Sequence, residues 1–119
     1  MKRGLWIVAG LCLAAGIIVG CSYLGTVVQN VAPVAQIDAT PTSGDSPLAV
    51  ALSAEDSIDA DGTIVSWDWD FGDTQTDSGE LVVHAFTTQT GSSVYTVVLI
   101  VEDDDGATDT AAVNVTVRP

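Results

Sequence analysis

The sequence predicts an all-β fold, an antiparallel β-sandwich. Three observations lead there. From Pro33 onward no stretch holds a helical period over three turns. Apolar residues alternate with period two in short runs. Clusters of Asp, Gly and Ser, which favour turns, separate those runs at near-regular spacing.

The elements follow in order. The first predicted strand is residues 33–39, with Ala35 and Ile37 on one face, and ATPTSGDSP (39–47) is a turn cluster. The second, residues 48–54, sets Val50, Leu52 and Ala54 against Ala49, Ala51 and Ser53, and the loop EDSIDADG (55–62) follows. The third, residues 63–71, places Val65, Trp67, Trp69 and Phe71 on one side and Ser66, Asp68 and Asp70 on the other. GDTQTDSG (72–79) reads as turn, residues 80–86 as a short fourth strand, and TTQTGSS (87–93) as a connection. The fifth, residues 94–102, directs Tyr95, Val97, Leu99 and Val101 to one face. DDDG (103–106) turns into the sixth, residues 107–117, with Ala111, Val113, Val115 and Val117 inward. A domain of this size without disulfides relies on packing, so the aromatic residues of the third strand carry much of it, at about 150–250 Å² buried each. Tyr95, at the head of a long valine-rich strand, stands where sandwiches often place a tyrosine corner.

The chain has 119 residues, enough for one domain. Lys2 and Arg3 precede an apolar run over residues 5–20, shorter than the roughly 20 residues of a membrane span. The run ends Ile18-Val19-Gly20-Cys21, and a small residue before the cut fits a secretory signal peptide, residues 1–20. The aliphatic–aliphatic–Gly–Cys order resembles the lipobox of bacterial lipoproteins, which implies that Cys21 becomes the acylated first residue. An uncleaved signal anchor is the alternative. Cys12 is a poor rival, because Leu11 before it is too large and the apolar run to its left too short. Several acyl chains, at about 0.8 kcal/mol per buried methylene, anchor firmly where one does not. Ser22 after the cysteine implies, by the same resemblance, the outer membrane of a host with two membranes. Residues 21–32 form the lipidated cysteine and a short tether, and the domain occupies residues 33–117.

Behind the leader, Arg118 is the single base against sixteen acids, a formal charge of about −15. Nucleic acid and anionic lipid both require a basic patch, so neither is an expected partner. Solubility, divalent cations and basic partners suit this charge.

The blocks DADGTIVSW (59–67), WDFGD (69–73), HAF (84–86) and YTVVLIVEDDDG (95–106) together resemble the PKD domain, the immunoglobulin-like module named after polycystic kidney disease. Trp69, Asp70, Phe71, Gly72, Asp73 and Tyr95 carry the motif. Two features depart from the family: Thr74 stands where a glycine usually closes the turn, and the stretch before Tyr95 is longer. The resemblance implies an immunoglobulin-like sandwich. It also implies a spacer, adhesion or substrate-presenting role, since such modules occur in secreted proteases, chitinases, collagenases and cell-surface assemblies.

Residue chemistry agrees with a non-catalytic role. His84 is the only histidine, too few for the usual metal or serine hydrolase site, and a structural hydrogen bond is its expected role. Asp68 and Asp70 project about 7 Å apart from one strand face, a separation within glycosidase range, but a strand face supplies no cleft. Ser57 to Asp68 nearly fits an EF-hand loop, yet its first ligand is Ser, its last is Asp, and no helix flanks it. A sandwich of this topology brings Asp59 and Asp61 toward Asp103, Asp104 and Asp105. Carbonyls, water and Asn30 then complete a possible Ca²⁺ shell. Some collagenase members of the family resemble this. An acidic turn cluster whose carboxylates accept loop amides is the competing reading, and both stay open. Trp67 and Trp69 could stack sugar if exposed, but they share a face with Val65 and Phe71, so both read as core, with Trp67, nearer the strand start, the remaining candidate for sugar.

The expected function is therefore a lipid-anchored envelope lipoprotein presenting a module that binds an envelope protein or polysaccharide. The alternatives are a calcium-stabilised accessory lipoprotein and a weak carbohydrate binder.

Overall fold

The computed structural model describes residues 29–119, and Val31–Pro119 forms one compact unit. The expected signal peptide, residues 1–20, and Cys21 lie outside the described residues. Among the described residues eight strands run in order: β1 (Asp38–Thr40), β2 (Ser43–Asp45), β3 (Leu48–Ser53), β4 (Ile64–Asp70), β5 (Thr76–Ser78), β6 (Leu81–Phe86), β7 (Ser93–Asp103) and β8 (Thr108–Arg118). They form a three-stranded sheet, β1-β3-β6, and a five-stranded sheet, β2-β8-β7-β4-β5. The fold is a β-sandwich, as the alternation predicts.

The core is the sum of the inward sets. Val50 and Leu52 of β3 and Val82 and Phe86 of β6 come from the small sheet. Trp69 of β4, Val97, Leu99 and Val101 of β7, and Val115 and Val117 of β8 come from the large one. Trp69, Phe71, Phe86, Leu52 and Leu99 are the largest fully buried side chains. Full burial of such residues stabilises by about 1.5–3 kcal/mol each, so this layer dominates the energetics. The long β7–β8 hairpin keeps one register from Ser93↔Val117 to Glu102↔Thr108, which places every second valine on the same face.

Four details differ from the sequence expectation. The first strand shrinks to Asp38–Thr40; upstream, Val34 makes only an isolated bridge with Ile58. Ser43–Asp45, expected as turn, is a strand pairing parallel with β8, so the sandwich is not wholly antiparallel. Thr76–Ser78, also expected as turn, pairs with β4 through Asp70↔Thr76 and Asp68↔Ser78. Val65 is 56% exposed rather than inward. The β4–β7 register shifts between Ile64 and Ser66, and the extra residue of that bulge turns Val65 out while Ile64 packs against the core.

Candidate functional site

The run WDWDFGDT is a core strand leaving into a turn. Trp69 is 1% exposed, and its indole Nε1 donates to Gly79 O at 2.8 Å. Phe71 is 2% exposed. Outside the core, Asp70 Oδ1 accepts Gly72 N–H (2.9 Å) and Asp73 Oδ1 accepts Gln75 N–H (3.1 Å), so both carboxylates fasten the turn. Gly72 has φ +78°, and a Cβ there would meet Thr96 O at 2.6 Å, so only glycine fits. Thr74, the residue in place of the family's glycine, has φ 76°. The backbone therefore keeps the conformation glycine would adopt, with a β-branched side chain bearing it.

His84 faces inward from β6. Its ring stacks on Phe71 (centroids 3.9 Å apart, planes at 10°) and meets Phe86 edge-on. Nε2 lies 2.7 Å from Asp73 Oδ2; an ionised carboxylate only accepts, so the imidazole carries the proton there. Tyr95 OH donates to Thr87 O at 2.6 Å, eight residues upstream, as the corner reading expects. Trp67 is half-buried and packs against the core, with Nε1 buried and without a hydrogen-bond partner.

The acidic loops do converge. A Cβ on Gly62 would collide with Asp104 Oδ1 and touch Asp59 Oδ2, so the two carboxylates close over one glycine. Asp61 Oδ2 accepts Val31 N–H (2.8 Å), Asp104 Oδ1 accepts Thr63 N–H (3.3 Å), and Asp59 Oδ1 accepts Asp61 N–H (3.4 Å). Asp103, only 1% exposed, accepts Asp105 N–H (3.0 Å) and Ala107 N–H (2.8 Å) on Oδ1. Each carboxylate thus gives one oxygen to loop amides. Asp59 Oδ2 is buried with no hydrogen-bond partner. Desolvation, then the neighbouring Asp61 carboxyl, raises the Asp59 pKa above the carboxylate value of 3.8. Desolvation, then the charges of Asp104, Asp103 and Asp61, raises Asp105. Among the described residues no three Asp, Glu, His or Cys side chains form a group able to hold a metal ion as they stand. Asn30 lies one residue before the compact unit.

Two exposed sheet faces complete the surface. Over the large sheet an open groove of about 420 Å³ is lined by Asp68, Asp70, Thr76, Ser78, Val98 and Ile100. Thr76 and Ser78 of β5 lie beside Asp68 and Asp70 on that face. Over the small sheet a groove of about 390 Å³ runs across Asp38, Thr40, Ala51, Ser53, Leu81 and Val83. Sequence reasoning did not single out this second face. Its signal was Leu81 and Val83, apolar at the polar phase of the strand; Leu81 is 63% and Val83 70% exposed.

Comparison with known proteins agrees with this architecture. The PKD domain family matches residues 30–117. Collagenase ColQ1 of Bacillus cereus (strain Q1) is 38% identical over 90 residues, 76% of this chain but 9% of the collagenase. The crystal structure of the PKD1 domain of Vibrio anguillarum Epp superposes with a TM-score of 0.63 at 36% identity, covering 76% of this chain and 98% of that one. A structure from work on carbohydrate-binding modules of the β-sandwich superfamily superposes with a TM-score of 0.70 at 30% identity, covering 76% of this chain and 36% of that one. With its strand order, its WDFGD turn and its tyrosine corner all in place, the chain belongs to the PKD domain family.

Proposed function

We propose that this chain is a non-catalytic binding module, carried at the cell envelope by lipid on Cys21 and presenting its sandwich to an envelope protein or polysaccharide. In a host with two membranes the outer membrane is the expected site. The observation that carries this reading is the state of His84. The chain's only histidine is stacked on Phe71 and bound to Asp73, so it serves the fold. Asp70 and Asp73 are likewise engaged with turn amides. The side chains left for contact are apolar ones on the sheet faces and acids in the loops, which suit recognition. Polysaccharide as a partner class draws support from the carbohydrate-binding-module structure, although this chain covers 36% of it. The test is binding of the full chain to isolated envelope, divided into protein and polysaccharide fractions. Saturable binding to one fraction is expected. Equal, unsaturable retention by both would overturn the reading.

A second reading, a calcium-stabilised accessory lipoprotein, is favoured by Asp59 Oδ2, buried without a partner beside other carboxylates. Asp59, Asp61, Asp103 and Asp104, with Asn30, are the residues that would hold the ion, after moving together from their present positions. Melting the chain with calcium and with chelator tests it: a calcium-dependent rise lost in Asp61→Ala supports it, and identical melts end it.

A further inference from the structure

We propose that β6 is a docking edge for an extended polypeptide segment whose side chains alternate between apolar and Lys/Arg. The inference rests on the binding-module reading and names its surface and partner class.

Among the described residues β6 stands at the end of the small sheet and pairs only with β3. The bond from Ala54 N–H to Glu80 O (2.9 Å) sets the phase of that ladder. In an antiparallel pair, hydrogen-bonded residues recur every second position. Val82, His84 and Phe86 therefore exchange bonds with β3, and Leu81, Val83 and Ala85 turn their N–H and C=O groups to the open edge. The same three residues point their side chains to the exposed face.

Edge strands are normally blunted by lysine, proline or a bulge. Residues 81–86, LVVHAF, contain no lysine and no proline, and the β3–β6 register runs without a shift. On the exposed face Val83 lies opposite Ala51 and Ala85 opposite Ala49, while Ser53 lies opposite Leu81. The small Ala51 leaves the groove that Leu81 and Val83 flank.

Charge selects the occupant. Glu80 precedes the strand, and Asp38 lines the groove. The Asp56 carboxyl beside it, which accepts a hydrogen bond from the protonated form of Asp38 and repels its charged form, raises the Asp38 pKa. From Val31 to Val117 the domain has no Lys or Arg. A second copy pairing β6 to β6 would press two strongly acidic surfaces together. An added strand satisfies the open backbone; its apolar residues sit beside Leu81 and Val83, and its alternate residues face the side that Glu80 shares in phase with Val82 and His84, where cationic ones suit the acid.

The probes are ten-residue labelled peptides alternating Val with Lys, Val with Glu, and Ser with Lys, titrated by anisotropy into the full chain. Only the Val–Lys peptide is expected to bind, with amide exchange slowed at Leu81, Val83 and Ala85. Val83→Lys is expected to weaken it at least about tenfold, and Ile100→Lys, the same charge change on the other sheet, less than about twofold. Thermal melts confirm that both variants fold. Equal binding of Ser–Lys, equal losses in both variants, or a dimer that Val83→Lys dissolves would overturn the proposal. No peptide binding alongside saturable envelope binding would sink the β6 edge and leave the module reading standing. Neither form of binding would sink both.

Discussion

His84 Nε2 sits 2.7 Å from Asp73 Oδ2, joining β6 of the small sheet to the turn that follows β4 of the large one. This contact crosses the sandwich at its edge, and the ring stacks on Phe71 from the same turn. One side chain thus contributes packing and a polar clamp between sheets. His84→Ala removes both and leaves Asp73 without that partner. A loss of about 2–3 kcal/mol is expected. In a domain of this size that lowers the melting temperature by about 8–24 °C, measured by circular dichroism.

Thr74 holds φ 76° where the family has glycine. A β-branched residue in the left-handed region costs about 1–2 kcal/mol, and glycine returns part of that as unfolded-chain entropy. Thr74→Gly is expected to stabilise by up to about 1 kcal/mol, raising the melting temperature by a few degrees. Chemical denaturation would register this as a higher midpoint with an unchanged slope.

The raised carboxyls give stability a pH dependence of definite sign. The pKa values of Asp38, Asp59 and Asp105 lie above the value of 3.8 they regain on unfolding. Between 3.8 and those raised values the folded state binds more protons than the unfolded one, so their contribution to stability falls as pH rises. Without added calcium, acidification from neutral toward about pH 4.5 is expected to raise the melting temperature. Asp59→Asn is expected to flatten part of that slope, read from melts across the pH range.

Cys21 is expected to anchor the chain. Cys21→Ser should leave the membrane fraction for the soluble one when cells are separated and blotted. Retention of the variant in the membrane would remove lipid on that residue from the account.

Much of the fold was legible because period-two alternation is enforced by burial on one face. Trp69, Phe71, Val97, Leu99 and Val115 fell where the pattern put them. Tyr95 and His84 took the hydrogen-bonding roles expected of them. What the pattern missed has no apolar signature. Ser43–Asp45 and Thr76–Ser78 are strands only because β8 and β4 offer them hydrogen bonds, and turn-forming composition hides them. The bulge that exposes Val65 leaves the alternation of the sequence unchanged while shifting the register beneath it. In the acidic loops, composition located the cluster. Which oxygen each amide takes depends on loop geometry across residues far apart in sequence, as with Val31 and Asp61.

The most direct test of the central claim, that the sandwich is a binding module at the envelope, is crosslinking of the chain on intact cells followed by mass spectrometry. The account predicts one protein or glycan partner, crosslinked reproducibly through residues of the sandwich and competed away by excess unlabelled chain. Crosslinks spread over abundant envelope components, unaffected by competitor, would contradict it.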